Sequence, residues 1–392
     1  MGGIHNDYRS AELDRRDFLK TSVPALAAIS LGLTGCGDDT TPAVPLPPPE
    51  VGAGPFPPIT WITRDPSYTD YRPAVDATAQ QAVFERTPFP NPTGANTTLY
   101  LATSIGSPNP PAKPFLEVPA NPAATYPYSQ TRPDWSWANH QVVFSGAPTE
   151  KDAIEAHIAT ANGRTVTLVP KTLAHIYPTW TSDGMQLVIY NNSNGAAPVK
   201  PVTSLIMPDG NVVVANLNGM DTANPPADMF GGFAAPKPGT LTQIAFAGQP
   251  ALASWGLPAG QTPPAMATYN QDNNYVFINS PKAGGGWQSS PLESAASMTT
   301  FDPAFQGRAP YWSPDGKYIV FESSRSGGYA LFLARVGGNA PPVQLTDSTY
   351  WAQHAKFFPG GAKLVFTALQ HPNAAGTGPR GIGVIDISAY LA

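Results

Sequence analysis

A single cysteine, Cys36, stands in a chain of 392 residues, so no intrachain disulfide can form and packing and hydrogen bonds alone must hold the fold. Charge is scarce as well: Asp, Glu, Lys and Arg make up 12% of the residues, about half the usual quarter. The net charge is −5, and without a basic footprint nucleic acid is excluded as an expected partner. Low charge does not mean disorder here. Disordered chains pair low hydrophobicity with high net charge, whereas this sequence is 42% hydrophobic. Neither a GxGxxG nor a Walker loop occurs, so nucleotide binding has no support. A GxSxG elbow is missing, and so is the strand–helix alternation that would build an α/β-hydrolase domain. Long helices are disfavoured by 46 prolines, since each interior proline removes a donor and clashes with the preceding turn. A folded, turn-rich chain of short strands remains.

The N-terminus reads as an address. Arg15 and Arg16 precede an apolar stretch from Val23 to Leu33. That stretch is shorter than the roughly 20 residues of a membrane span and suits the apolar core of a signal peptide. The arginine pair resembles a twin-arginine export signal, with Asp14 where Ser or Thr is more common. Leu33-Thr34-Gly35-Cys36 resembles a lipobox, which implies cleavage before Cys36 and lipidation of that cysteine. The expected organisation is a signal peptide over 1–35, a lipidated, proline-rich tether over 36–58 and a globular domain over 59–392. Proline-rich segments are extended and semi-rigid, so they act as spacers. The localisation implied is the periplasm or the cell surface, on a membrane through the lipid.

The body of the chain repeats. The clearest unit is RAPYWSPDGKYIVF over 308–321, followed by YPTWTSDGMQLVIY over 177–190 and RPDWSWANHQVVF over 132–144. Weaker copies are AKFFPGGAKLVF over 355–366, RPAVDATAQQAVF over 72–84 and QPALASW over 249–255. Aligned on the proline, or the alanine replacing it, the units start at 73, 133, 178, 250, 310 and 355. Such spacing is typical of one propeller blade with variable loops. Each unit predicts a strand, a tight turn and a second strand, with Asp-Gly or Gly-Gly supplying the positive φ that hairpins need. Further strands are expected at 98–102, 153–158, 165–168, 329–334 and 344–346. The strand at 383–387 is expected to pair with one at 59–63 and close the ring, which protects sheet edges.

Trp312-Ser313-Pro314-Asp315-Gly316, continued by the β-rich run to Phe321 and by Ser323 to Gly328, resembles the repeat of TolB-like β-propellers. The resemblance covers most of residues 60–392 and implies an all-β, six-bladed propeller; one miscounted repeat would make it five or seven. Residues 201–300 depart furthest from the pattern.

First strands line a propeller's channel, so the residues just before each proline are expected at one mouth. These are Arg72, Arg132, Tyr177, Gln249, Ala309 and His354, with His175 and Arg308 nearby. Arginine suits an anionic ligand because its planar fork binds carboxylates bidentately. The competing structural reading has these side chains bound to loop carbonyls and to neighbouring acids such as Asp134. No catalytic constellation, metal set or cofactor site is read. Asp183-Gly184, Asp209-Gly210 and Asp315-Gly316 lack the further carboxylates of a calcium loop and read as turns. The favoured function is a non-catalytic envelope lipoprotein that binds a protein, peptide or glycan at the channel mouth. The alternatives are a channel-site lyase or hydrolase of acidic polysaccharides, and an envelope scaffold acting through loops 104–128 or 221–240.

Overall fold

The computed structural model describes residues 56–391, apart from 92–96, 108–109, 118–128, 148–153, 173–174, 192–201, 215–231, 241–242, 249–274, 282–286 and 294–305. Arg15, Arg16, Cys36 and most of the tether therefore lie outside the described residues, as does Gln249. Among the described residues there is no α-helix.

A two-residue strand, β1 (Thr60–Trp61), precedes five consecutive four-stranded blades. Blade 1 contains β2 (Tyr68–Val75), β3 (Gln81–Pro88), β4 (Thr98–Thr103) and β5 (Ala112–Pro114). Blade 2 contains β6 (Ser129–Trp135), β7 (Gln141–Ala147), β8 (Glu155–Thr160) and β9 (Val166–Leu168). Blade 3 contains β10 (His175–Trp180), β11 (Leu187–Asn191), β12 (Val202–Ile206) and β13 (Val212–Val214). Blade 4 contains β14 (Gly232–Pro236), β15 (Ile244–Gly248), β16 (Tyr275–Pro281) and β17 (Trp287–Pro291). Blade 5 contains β18 (Arg308–Trp312), β19 (Tyr318–Ser323), β20 (Ala330–Arg335) and β21 (Val343–Gln344). Blade 6 is β22 (Gln353–Phe357), β23 (Lys363–Leu369) and β24 (Arg380–Asp386), completed on its outer edge by β1. First strands contact first strands of the next blade from blade 1 through blade 6 and back, so the molecule is a six-bladed β-propeller.

The packing follows from where each repeat places its aromatic residues. The Trp or Phe that ends a first strand is buried between its own blade and the one before it. Trp135 packs with Leu99, Leu101 and Phe115 of blade 1, and Trp180 with Val143 and Ile158 of blade 2. Trp312 meets Ala245 and Val276 of blade 4, while Phe357 meets Val320, Leu331 and Leu333 of blade 5. Burying each such side chain contributes about 2–3 kcal/mol. The hairpin after the first strand turns through Asp and Gly. At Ser313–Tyr318 the Asp315 carboxylate accepts from the Ser313 hydroxyl and the Lys317 amide, and Gly316 takes φ +68°. Asp183 does the same for Thr181 and Met185. These carboxylates are therefore turn acceptors.

Blade 4 corrects the sequence reading. It begins at β14, whose Phe233-Ala234-Ala235-Pro236 occupies the place of the repeat, and not at Gln249-Pro250, which follow the blade's second strand. The unit was hidden because alanine replaces the proline after Phe233, and proline replaces the aromatic at its end.

The ring closes where expected. Thr60 pairs with Val384 and Trp61 with Gly383, and the Ile62 amide donates to the Ile382 carbonyl at 2.8 Å. Thr63 Oγ1 accepts from the Ile382 amide at 2.9 Å.

Candidate functional site

All six first strands slip register against their second strands, between Tyr71 and Ala74 in blade 1 and at the matching places in the others. Such a bulge inserts one residue and re-aims its side chain. The inserted residues are Arg72, Arg132, Tyr177, Phe233, Ala309 and His354, with φ of 48°, 55°, 56°, 55°, 46° and 55°. A left-handed non-glycine residue costs about 1–2 kcal/mol and persists only when its surroundings over-determine it. Here the second strand of the preceding blade does so. The Arg72 amide donates to Thr367 Oγ1 (3.0 Å), that of Arg132 to Glu85 Oε1 (2.6 Å) and that of His354 to Glu322 Oε2 (2.7 Å).

All six inserted residues line one pocket at the channel mouth, with an open volume of about 530 Å³. Between them stand Pro133, Pro178, Ala234, Pro310 and Ala355, so the walls are largely apolar. Around the rim the Arg132 guanidinium carbon lies 4.3 Å from the Tyr177 ring centre, and the Tyr177 and Phe233 rings are 4.4 Å apart. Phe233 and His354 come within 6.1 Å of each other across Ala309, whose methyl group leaves that gap.

Charges shape the site. Arg72 Nη1 contacts both oxygens of Glu85, at 3.0 and 2.8 Å. Burial alone would raise the Tyr177 phenol above its ordinary pKa, but the charges of Arg132, Arg72 and Arg308 and a hydrogen bond from Arg132 outweigh it and hold the pKa below that value.

The floor is crossed by side chains two positions beyond the inserted residues. Lys356 Nζ of blade 6 donates to the Asp134 carboxylate (2.7 Å) and the Pro133 carbonyl (2.9 Å) of blade 2. The Tyr311 hydroxyl of blade 5 bonds the same carboxylate, which, with burial, pushes its pKa well up. Blades 2 and 5 face each other across the axis, so this network spans the channel. Blade 1 lies between blades 6 and 2 and contributes only Ala74 at that level, which leaves room for the bridge.

Of the residues expected at the mouth, Arg72, Arg132, Tyr177, Ala309 and His354 line the pocket together. Arg308 does not line it; its guanidinium is bound to Glu322 at 2.5 Å and lies 4.1 Å from the centre of the Tyr329 ring. His175 begins β10, and its side chain is outside the described residues. Phe233 takes the place expected of Gln249. Tyr311 and Lys356 were missed, although their position two residues after each ring residue was available in the repeat. Among the described residues no group of three His, Cys, Asp or Glu side chains is placed to hold a metal.

No protein-family model matches the chain. A 61-residue stretch is 41% identical to an uncharacterized protein of Agrobacterium fabrum, covering 15% of this chain and a fifth (20%) of that protein's length. Among solved structures, TolB from Acinetobacter baumannii is similar at 14% identity and a TM-score of 0.44, over 72% of this chain and 55% of TolB. The β-propeller domain of the Trilobed protease from Pyrococcus furiosus is similar at 10% identity and a TM-score of 0.48, over 81% of this chain and 95% of that domain. An acylaminoacyl peptidase from Pyrococcus horikoshii is similar at 9% and 0.48, over 83% of this chain and 53% of the peptidase. Identities this low concern the fold alone, and the function has to be argued from this chain's own pocket.

Proposed function

We propose that this protein is an exported, lipid-anchored propeller that binds a protruding group of a protein, peptide or glycan partner in its channel mouth without transforming it. The observation that carries this reading is the pocket itself. Six blades each contribute one left-handed residue to a single cavity, whose side chains are aimed inward at a local backbone cost. The lipobox-like sequence at Cys36 supplies the proposed anchor. Crosslinking in cells tests the reading, comparing the native chain with Ala309→Trp, which fills the gap between Phe233 and His354. Partners lost in the variant support channel-mouth recognition. An unchanged set of partners would overturn it and favour the loops of the scaffold reading.

A second reading, an acidic-polysaccharide lyase, is favoured by one observation: the Tyr177 phenol has a lowered pKa beside Arg132 and so is easier to turn into a base. Formation of unsaturated product from uronate polymers, abolished in Tyr177→Phe, would establish it. No product from the folded native chain would eliminate it.

A further inference from the structure

Four cations line or back the pocket, and three have carboxylate partners. Arg72 is paired with Glu85 (2.8 Å), Arg308 with Glu322 (2.5 Å) and Lys356 with Asp134 (2.7 Å). Arg132 has no carboxylate in ion-pair reach among the described residues. Its Nη1 donates to Thr131 Oγ1 at 3.3 Å, its buried Nε has no acceptor, and its other partner is Tyr177, whose ring it faces and whose hydroxyl it hydrogen-bonds, a neutral group and not a counter-ion. A half-buried guanidinium without a counter-ion is costly, and an anion entering the pocket would remove that cost. The charges of Arg132, Arg72 and Arg308 also hold the Tyr177 phenol below its ordinary pKa, as neighbouring positive charge does.

Two further features narrow the ligand. The Lys356–Asp134–Tyr311 network crosses the channel beneath the pocket, which favours an occupant that enters by the mouth as a chain end or a side chain. Beyond the Tyr177 ring that faces Arg132, much of the pocket wall is Phe233, Pro133, Pro178 and Ala234, an apolar stretch that offers few hydrogen bonds to a hydroxyl-rich sugar. A cation beside an apolar wall matches a group carrying a carboxylate and an apolar side chain on one carbon atom. The C-terminal residue of a peptide has both, whereas an acidic side chain brings only methylenes and an N-terminus brings the wrong charge.

Resting on the proposal of a channel-mouth binding pocket, we infer that its ligand is the free C-terminal end of a peptide, with the terminal carboxylate bound by Arg132 and the last side chain packed on Phe233 and the proline walls. Capture of terminal carboxylates is an established mode of peptide recognition. Entry by the mouth, above that network, also means that a peptide continuing beyond that residue is rejected.

Calorimetric titration of the full chain with three probes tests this: Gly-Gly-Gly-Ala-Phe as free acid, the same peptide as C-terminal amide, and the same peptide extended by three glycines. The free acid is expected to bind at least about tenfold more tightly than the other two, the worth of one charge-assisted hydrogen bond. Arg132→Gln should bring acid and amide to equal affinity, and Arg132→Lys, which keeps the charge but not the fork, should restore part of the difference; unchanged thermal melting shows that both variants fold. Equal binding of acid and amide to the native chain, abolished by Ala309→Trp, would overturn the carboxylate inference and leave the pocket reading standing. Tighter binding of a uronate oligomer, also abolished by Ala309→Trp, would replace the peptide with a glycan. If no probe binds and the crosslinked partners ignore Ala309→Trp, both readings fall.

Discussion

Glu85 shows how a few side chains hold both the ring and its charge. Its carboxylate, almost wholly buried, accepts from the Arg72 side chain of its own blade and from the Arg132 amide of the next. Glu322 repeats the arrangement with Arg308 and with the His354 amide. Both acids therefore anchor the backbone bulge that turns a neighbouring side chain into the channel. The sequence reading weighed two fates for the arginines, an open ligand ring or local partners. The structure divides them: Arg72 and Arg308 are paired, and Arg132 is left over. Tyr177 is the reporter of that surplus. Because its ionised form is favoured in the folded state, the unfolded chain binds more protons between the lowered pKa and the ordinary value of 10.0. The contribution of Tyr177 to stability is thus complete above pH 10.0 and is lost as pH falls through the lowered value. A difference titration of phenolate absorbance between the native chain and Tyr177→Phe should show one tyrosine ionising early, and Arg132→Gln should move that step upward. A step at or above the ordinary tyrosine range would contradict the electrostatic picture. Five of the six ring residues, namely Arg72, Arg132, Tyr177, Ala309 and His354, were legible because each stands at one fixed place in a repeat. Phe233 was not, since its repeat had lost the marking residues. Nor was the bond between Lys356 and Asp134, which joins residues 222 apart in sequence through a geometry that exists only once the ring has closed.

Among the elements, β1 is the shortest in proportion to what depends on it. Two residues pair with β24, yet this short segment completes the core: Ile62 is buried with Val75, Phe84 and Ile382, and Trp61 packs over the blade 5–6 cluster. The fit relies on glycine in the facing strand. A Cβ on Gly381 would stand 2.2 Å from the Thr63 carbonyl oxygen, and one on Gly383 would stand 2.7 Å from Ile59 Cγ2. Backbone on one side and a packed branched side chain on the other leave little room to yield. Gly381→Val is accordingly expected to displace β1, lower stability by about 2–3 kcal/mol and expose the edge of β24. Urea unfolding would measure the first effect and size-exclusion chromatography at rising concentration the second. A variant as stable and as monomeric as the native chain would show that the latch is not needed. The pairing itself could be read from sequence as two short strand patterns at the chain's extremes. The two glycines could not be assigned a purpose there, because a close approach is visible only in three dimensions.

For the whole molecule, the repeats carried the architecture. Five of six blade starts follow from an aromatic residue, a turn and a β-branched run recurring at blade-sized intervals. The sixth was misplaced without changing the count, because a sheet of the right size must fill the space between blades 3 and 5. The scarcity of charge has the same origin: sheets packed face to face leave little helical surface to solvate. A ring that depends on its last seam should unfold as a unit. A chain starting at residue 56 should therefore match the full-length protein in denaturant midpoint. One starting at residue 66 loses Trp61, Ile62 and Thr63, and should fall by about 3 kcal/mol or more, the worth of a buried large apolar side chain with its seam. Equal midpoints for the two truncations would separate closure from stability.

The direction in which β1 runs has a consequence for how the molecule meets its surroundings. Thr60 is in register, through Val384 and Val365, with Lys356 of the floor, and Ile62 reaches Ile382, which is in register through Thr367 with Gln353 beside the rim. The chain thus climbs from floor level toward the mouth as it enters the sheet. Residues 56–59 therefore enter the propeller from the face opposite the mouth, and the rim lies at the other end of the first strands.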